Sequence, residues 1–271
     1  MTLSERLSQA LTRIRGFLPS RDSLNLLQSK GGRRAVTATV MAYLTLTLGL
    51  GFYWSMTPDA FDVVENRAKY LKSSDQSVTG AATTAALLEV TRLLIEKDGG
   101  YVSNDITPPG TFLDNMPNWE YGALIQSRDL ARALREVLSR SQSQSQEDVD
   151  LTLAEPRINF QNSSWALPAT ESEYRDARRY LQAYLDRLPK NGEDSAQFYA
   201  RADNLSFWLA MVEKRLGSLS QRLSASVGQR RINTDLAVDA AATQSTRESQ
   251  ELVVKTPWNE IDDVYYESRS A

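Results

Sequence analysis

Residues 35–56 form an uncharged stretch of 22, opening at Ala35 and closing at Met56. Lys30, Arg33 and Arg34 precede it, and Phe52, Tyr53 and Trp54 mark its far end. A helix rising about 1.5 Å per residue covers an apolar bilayer core of about 30 Å over such a length. We read the stretch as an uncleaved membrane anchor. A signal peptide has a shorter apolar core, about 7–15 residues, followed by a small-x-small cleavage site. Trp54-Ser55-Met56-Thr57-Pro58 offers no such site. A buried core helix is the competing reading, because Thr37, Thr39, Thr45 and Thr47 dilute the apolar character.

Charge sets the orientation. The first 34 residues hold seven of the 31 Lys and Arg and two of the 34 Asp and Glu. The remainder carries 24 basic against 32 acidic residues, a net charge of −8. Basic flanks stay on the cytoplasmic side. The expected arrangement is a single-pass membrane protein with a cytoplasmic N-terminus and its main domain on the far side of the membrane. The basic arm, residues 1–34, repeats Leu3, Leu7, Leu11, Ile14 and Leu18 at helical spacing. It reads either as an amphipathic helix on an anionic membrane surface or as a short solvated helix whose arginines only set topology.

The 271 residues contain neither Cys nor His. Disulfides, thiol catalysis, imidazole chemistry and the usual zinc sites are therefore excluded within this chain. No metal site and no cofactor is expected. The acidic balance after the anchor argues against nucleic acid as a partner.

The expected fold is mainly α: one transmembrane helix, 35–56, then a periplasmic helical-bundle domain, 57–227, of four or five helices. A short helix is read at 61–71 and a stronger one at 79–97, with Leu87, Val90 and Leu94 on one stripe. Asp98-Gly99-Gly100 stops it. Pro117 can start a helix that runs to about Arg140 and ends in the polar run 141–146. Thr170 and Glu173 read as a capping box opening another helix, on which Tyr174, Ala177, Leu181, Tyr184 and Leu188 share a face. Its Arg175, Arg178, Arg179 and Arg187 read as a solvated face balanced by Glu171, Glu173, Asp176 and Asp186.

Phe198, Ala202, Leu205, Leu209, Val212, Leu216, Leu219 and Leu223 alternate steps of four and three. That is a heptad seam on one long helix, placed at 195–227. It fits a coiled coil with another chain. We prefer packing on the same domain, because Phe207, Trp208 and Met211 widen the apolar face. Residues 228–256 read as linker-like, with an extended Leu252-Val253-Val254. Residues 257–271 read as the start of a C-terminal helix that is cut short.

Six blocks carry a family resemblance: DGGYVSND from Asp98, PPGTFLDNMPNWEYG from Pro108, SRSQSQS from Ser139, FYARADNL from Phe198, LGSLSQRLSAS from Leu216 and KTPW from Lys255. The sequence resembles the bacterial family catalogued as domain of unknown function 2333. The resemblance implies a Gram-negative inner-membrane protein with one N-terminal anchor and further helix beyond residue 267. It implies no activity, so no functional residue is carried over.

Residues 99–118 are the best candidate site from the chain itself. Long irregular loops in compact domains are often functional. Tyr101, Ile106, Phe112, Leu113, Met116 and Trp119 are the candidate partner-binding residues. Asp105, Asp114 and Glu120 lie within and after this segment, and two carboxylates facing a cleft could act as acid and base on a glycan, with peptidoglycan the obvious one. Asp105 and Asp114 are equally good turn and cap residues. Ile158 and Phe160, then Trp165 and Leu167, suggest a small hairpin at 157–168 or a Trp-tipped contact loop. The expected function is a non-enzymatic envelope scaffold or partner-binding module with an unknown protein partner or a second copy of itself. The alternative is a carboxylate-dependent enzyme acting on peptidoglycan glycan.

Overall fold

The computed structural model describes residues 29–71, 78–141, 146–192, 194–226, 229–231, 252–254 and 256–271. The amphipathic reading of the basic arm, the middle of the polar run at 141–146 and most of the linker-like segment lie outside these residues. The chain divides into two compact units, residues 1–50 and residues 51–271.

Helix α1 spans Lys30–Trp54, 25 residues with no buried side chain. By length and composition it is apolar enough to cross a membrane. Thr37, Thr39, Thr45 and Thr47 each donate their hydroxyl to the carbonyl four residues earlier. That bond hides the polar group along the backbone and reconciles four threonines with an apolar helix.

The second unit is helical. Helix α2 is Val63–Tyr70, α3 is Ala81–Glu96, α4 is Asn115–Ala133, α5 is Val149–Ile158, α6 is Thr170–Arg187, α7 is Ala202–Ser226 and α8 is Ile261–Ser270. Six of these fall between residues 57 and 227, where four or five were expected. The additional one is α5. Asp148 caps it by accepting the amides of Asp150 and Leu151. Leu151, Ala154 and Ile158 form its buried stripe. Ile158 therefore ends a helix instead of starting a hairpin strand. Pro156 is tolerated near the C-terminal end of so short a helix. Two three-residue strands, Gln229–Arg231 and Leu252–Val254, pair antiparallel, which agrees with the extended reading at 252–254.

The core lies among α3, α4, α5 and α6. Leu87, Leu94, Leu124, Leu134, Leu151 and Leu181 are fully enclosed. Each such leucine contributes roughly 1.5–3 kcal/mol, against about 0–1 kcal/mol for an exposed ion pair. The small residues of α3 admit close neighbours: Asn66 of α2 donates its amide to the Ala85 carbonyl at 2.8 Å. On α4, a Cβ at Gly122 would stand 2.2 Å from the Glu267 carbonyl oxygen, so α8 seats directly on the glycine backbone.

Two helix ends differ from expectation. Thr170 is the first residue of α6 rather than its cap, and its hydroxyl bonds the Gln161 and Ser164 carbonyls. Glu173 pairs with Arg157 at 3.8 Å, so no capping box forms. At the far end of α4, residues Leu134–Leu138 make a π turn. Its outlet is occupied: the Leu138 carbonyl accepts the Tyr199 amide at 2.6 Å, and the Val137 carbonyl accepts the Asn204 side chain at 3.1 Å. Residues 195–201 run without helix, so α7 starts at Ala202 rather than 195.

Candidate functional site

The long connection between α3 and α4 is organised around one carboxylate. Glu120 sits in the second turn of α4 and is completely buried. One oxygen accepts the Lys97 ammonium and the Val102 amide, the latter at 2.7 Å. The other accepts the Ser103 amide at 2.8 Å and the Ser103 hydroxyl. Lys97 also donates to the Gly100 carbonyl. The pair is buried and both partners are hydrogen-bonded, the condition under which an interior ion pair is tolerated. Tyr101, Val102, Met116 and Trp119 are buried too.

This geometry separates the three candidate carboxylates. Glu120 holds the loop and faces no solvent. Asp114 is exposed and caps α4, accepting the Asn115 amide at 2.9 Å. Asp105 is partly buried against Gly110, where a Cβ would stand 2.0 Å from its carboxylate oxygen. Burial pushes its carboxyl up, and the charges of Glu120 and Glu171 push the same way. The three carboxylates thus differ in exposure: Glu120 is enclosed, Asp105 partly buried and Asp114 exposed. Among the described residues no group of three or more Asp or Glu is placed to hold a metal ion.

The six candidate contact residues also divide. Tyr101, Met116 and Trp119 are core residues, so the loop presents none of them for contact. Their apolar character reflects their place in the core. Leu113 is half-buried. Ile106 and Phe112 are exposed, Phe112 to 75%. The loop is tied to the connection between α5 and α6: Asn104 donates to the Ser164 carbonyl and to Glu171, both at 2.8 Å. In that connection Trp165 and Leu167 point outward, so the Trp-tipped loop is what forms at 161–169.

A second polar cluster joins α2 to α3. Glu89 accepts the Tyr70 hydroxyl at 2.6 Å, Lys69 at 3.1 Å and Arg92 at 2.8 Å. Arg92 holds the Glu89 carboxyl down at about 2. Burial and the Glu89 hydrogen bond push Tyr70 up to about 12. On α6 the arginines are paired across helices more than along one. Arg178 reaches Glu96 at 2.6 Å, and Arg187 reaches Asp148 and Asp150, each at 2.6 Å. Arg179 uses a neighbour on its own helix, Asp176.

Helix α7 departs from the preferred reading. Its seated face is Asn204, Trp208 and Leu219, with Arg215 bonded to Asp129 and Arg222 to Glu267, both at 2.6 Å. The heptad row lies beside that face. Leu205, Leu209 and Leu216 are each about half exposed, and Phe207 is exposed next to them. The seam is thus divided: Phe198 and Leu219 pack on the domain, whereas Leu205, Leu209 and Leu216 stay about half exposed.

A family model described as an uncharacterized protein conserved in bacteria, DUF2333, matches residues 27–271. The chain belongs to the DUF2333 family. Every block that carried the resemblance falls inside the matched residues. DUF2333 membership thus covers the apolar helix, the Glu120 loop and α7 alike. No curated protein and no solved structure matches the chain.

Proposed function

We propose that this DUF2333 chain is a non-enzymatic scaffold of the bacterial inner membrane. In this reading α1 anchors it, the basic arm stays in the cytoplasm, and the periplasmic domain binds a helical partner through α7. The observation that carries the reading is the uncovered row Leu205, Leu209 and Leu216. Apolar residues at heptad spacing are what another helix packs against. A monomeric soluble surface rarely exposes a contiguous row of this kind without a partner. The distribution of charge about the span supports the orientation.

The alternative, acid–base cleavage of peptidoglycan glycan, needs two carboxylates facing one cleft. The enclosure of Glu120 speaks against Asp105, Asp114 and Glu120 supplying them.

The test places a photoreactive residue at Leu209 in the full-length protein in cells, followed by mass spectrometry of the products. A defined adduct, whether to a second copy or to a particular envelope protein, supports the scaffold reading and names its partner. Absence of any adduct from a folded, membrane-bound protein overturns it.

A further inference from the structure

Residues 51–54, the last turn of α1, belong to the second compact unit, and they pack against the 98–113 segment. A Cβ on Gly51 would stand 3.5 Å from Pro109 and 3.9 Å from Leu113. Tyr53 donates its hydroxyl to Asp98 at 2.8 Å. The Trp54 ring lies over Gly99, whose φ of 83 and missing side chain make room for it. The outer end of the apolar helix and this segment are therefore one packed piece.

That contact fixes a depth. If Tyr53 and Trp54 mark the outer interface, as aromatic residues at a span end do, then Pro109 and Leu113 stand at the same level. Phe112 and Ile106 flank them in the chain and expose their side chains. Asn104 bonds the Ser164 carbonyl and Glu171, which brings the 161–169 connection alongside. There Trp165 is exposed, and Leu167 is 100% exposed on a left-handed backbone with φ 53. Neither packing nor backbone preference places a leucine there. Phe52 is exposed on the same span end.

We infer that Ile106, Phe112, Trp165 and Leu167 form a lipid-facing surface, by which the periplasmic domain rests on the outer face of the inner membrane beside its own anchor. The inference rests on the anchored reading of α1 and is separate from the partner row on α7. Side chains of this type at headgroup depth are those used by proteins that lie in the interface plane. The occupant is a bilayer surface, because the segment that exposes Ile106 and Phe112 packs on Gly51 and Trp54 at the end of the span.

Because the chain has no Cys, single-cysteine variants can carry a nitroxide without background. Leu44→Cys, Ile106→Cys, Phe112→Cys, Val149→Cys and Leu167→Cys would each be introduced into the full chain. Each would be reconstituted in vesicles of phosphatidylethanolamine and phosphatidylglycerol. All five positions are exposed on the protein, so none is a folding test. Collision with oxygen and with a water-soluble nickel chelate is then measured. The expected result is loss of nickel collisions with retained oxygen collisions at 106, 112 and 167, as at 44, while 149 behaves as water-exposed. Nickel access at 112 and 167 equal to that at 149, with 44 still protected, overturns the inference and leaves the anchor standing. Nickel access at 44 overturns the anchored reading and the inference with it. Protection of 112 and 167 from both reagents would set them against protein and also overturns the lipid assignment.

Discussion

The 97–114 segment and helix α7 invert the usual relation between regularity and fixation. The first has one short 3-10 turn, Gly110–Phe112, yet its Tyr101, Val102 and Asn104 are buried. The second has 25 residues of unbroken helix and buries only Asn204 and Leu219. A helix satisfies its own backbone whatever lies beside it. An irregular segment has to find its partners elsewhere, and here the Glu120 carboxylate supplies them. Regular structure therefore says little about which region is held most firmly. The donors and acceptors that a segment cannot satisfy locally say more.

The strongest way to break this contrast is Glu120→Ala. It strands the Lys97 ammonium and the Val102 and Ser103 amides in the interior, and should cost about 3–5 kcal/mol. Thermal denaturation should show the loss, and limited proteolysis should open the 98–113 segment first. Adding Lys97→Met should recover only part, since the two amides remain unpaired. Full recovery would mean that the charges, and not the amides, set the cost.

The Glu89 cluster gives the next effect. Its folded carboxyl is held at about 2 against an ordinary 4.5. A depressed carboxyl stabilises above its unfolded value and loses that contribution as pH falls toward the folded one. Discounted for screening at its open side, the contribution is about 1–2 kcal/mol. Glu89→Gln should be less stable than wild type above pH 5 by that amount in urea denaturation. The two curves should converge as pH drops toward about 2.

Asp105 runs the other way. Its carboxyl is raised by burial and by neighbouring negative charge. A raised carboxyl favours the fold at low pH and opposes it as pH rises through the folded value. Asp105→Asn should therefore stabilise at neutral pH, with the gain disappearing in acid, as read by urea denaturation at the two pH values. A loss at neutral pH would show that the charge itself has a partner.

The smallest effect on stability belongs to α7. Leu209→Ala should leave the unfolding free energy within about 0.5 kcal/mol of wild type, as at other surface positions. Leu124→Ala, in the core of α4, should cost about 2–5 kcal/mol. With the photoreactive residue moved to Leu205, the same Leu209 change should abolish the crosslinks formed through α7. A large stability loss from Leu209→Ala would mean that the row is covered within the domain after all.

Much of the architecture was legible. The Leu87, Val90 and Leu94 stripe locates α3, and Tyr174, Ala177, Leu181 and Tyr184 locate α6, because deep burial leaves a period in the chain. Helix α5 was missed: it is short, contains Pro156, and leads into a segment whose alternating aromatic and aliphatic residues read as strands. The long loop was recognisable as important from its length and apolar content, but its role was not. Tyr101, Met116 and Trp119 look the same in sequence whether they serve a partner or a core. Nothing local to Glu120 shows that the amides of Val102 and Ser103 converge on it from 17 and 18 residues away. The heptad told which residues of α7 share a face, and it was silent on what covers them. Periodicity describes one helix, whereas burial depends on a second body.

The π turn at Leu134–Leu138 carries a consequence for how this gene can change. Such a turn holds one more residue than the α turn it replaces, and here Tyr199 and Asn204 grip its exit. Loss of a single codon within it would encode a more regular helix. It would also rotate everything downstream by about 100°, swinging the grip points away from residues 199 and 204. Insertions and deletions should accordingly be purged from these five positions even where substitutions are accepted, so that the length of the stretch is inherited more strictly than its spelling.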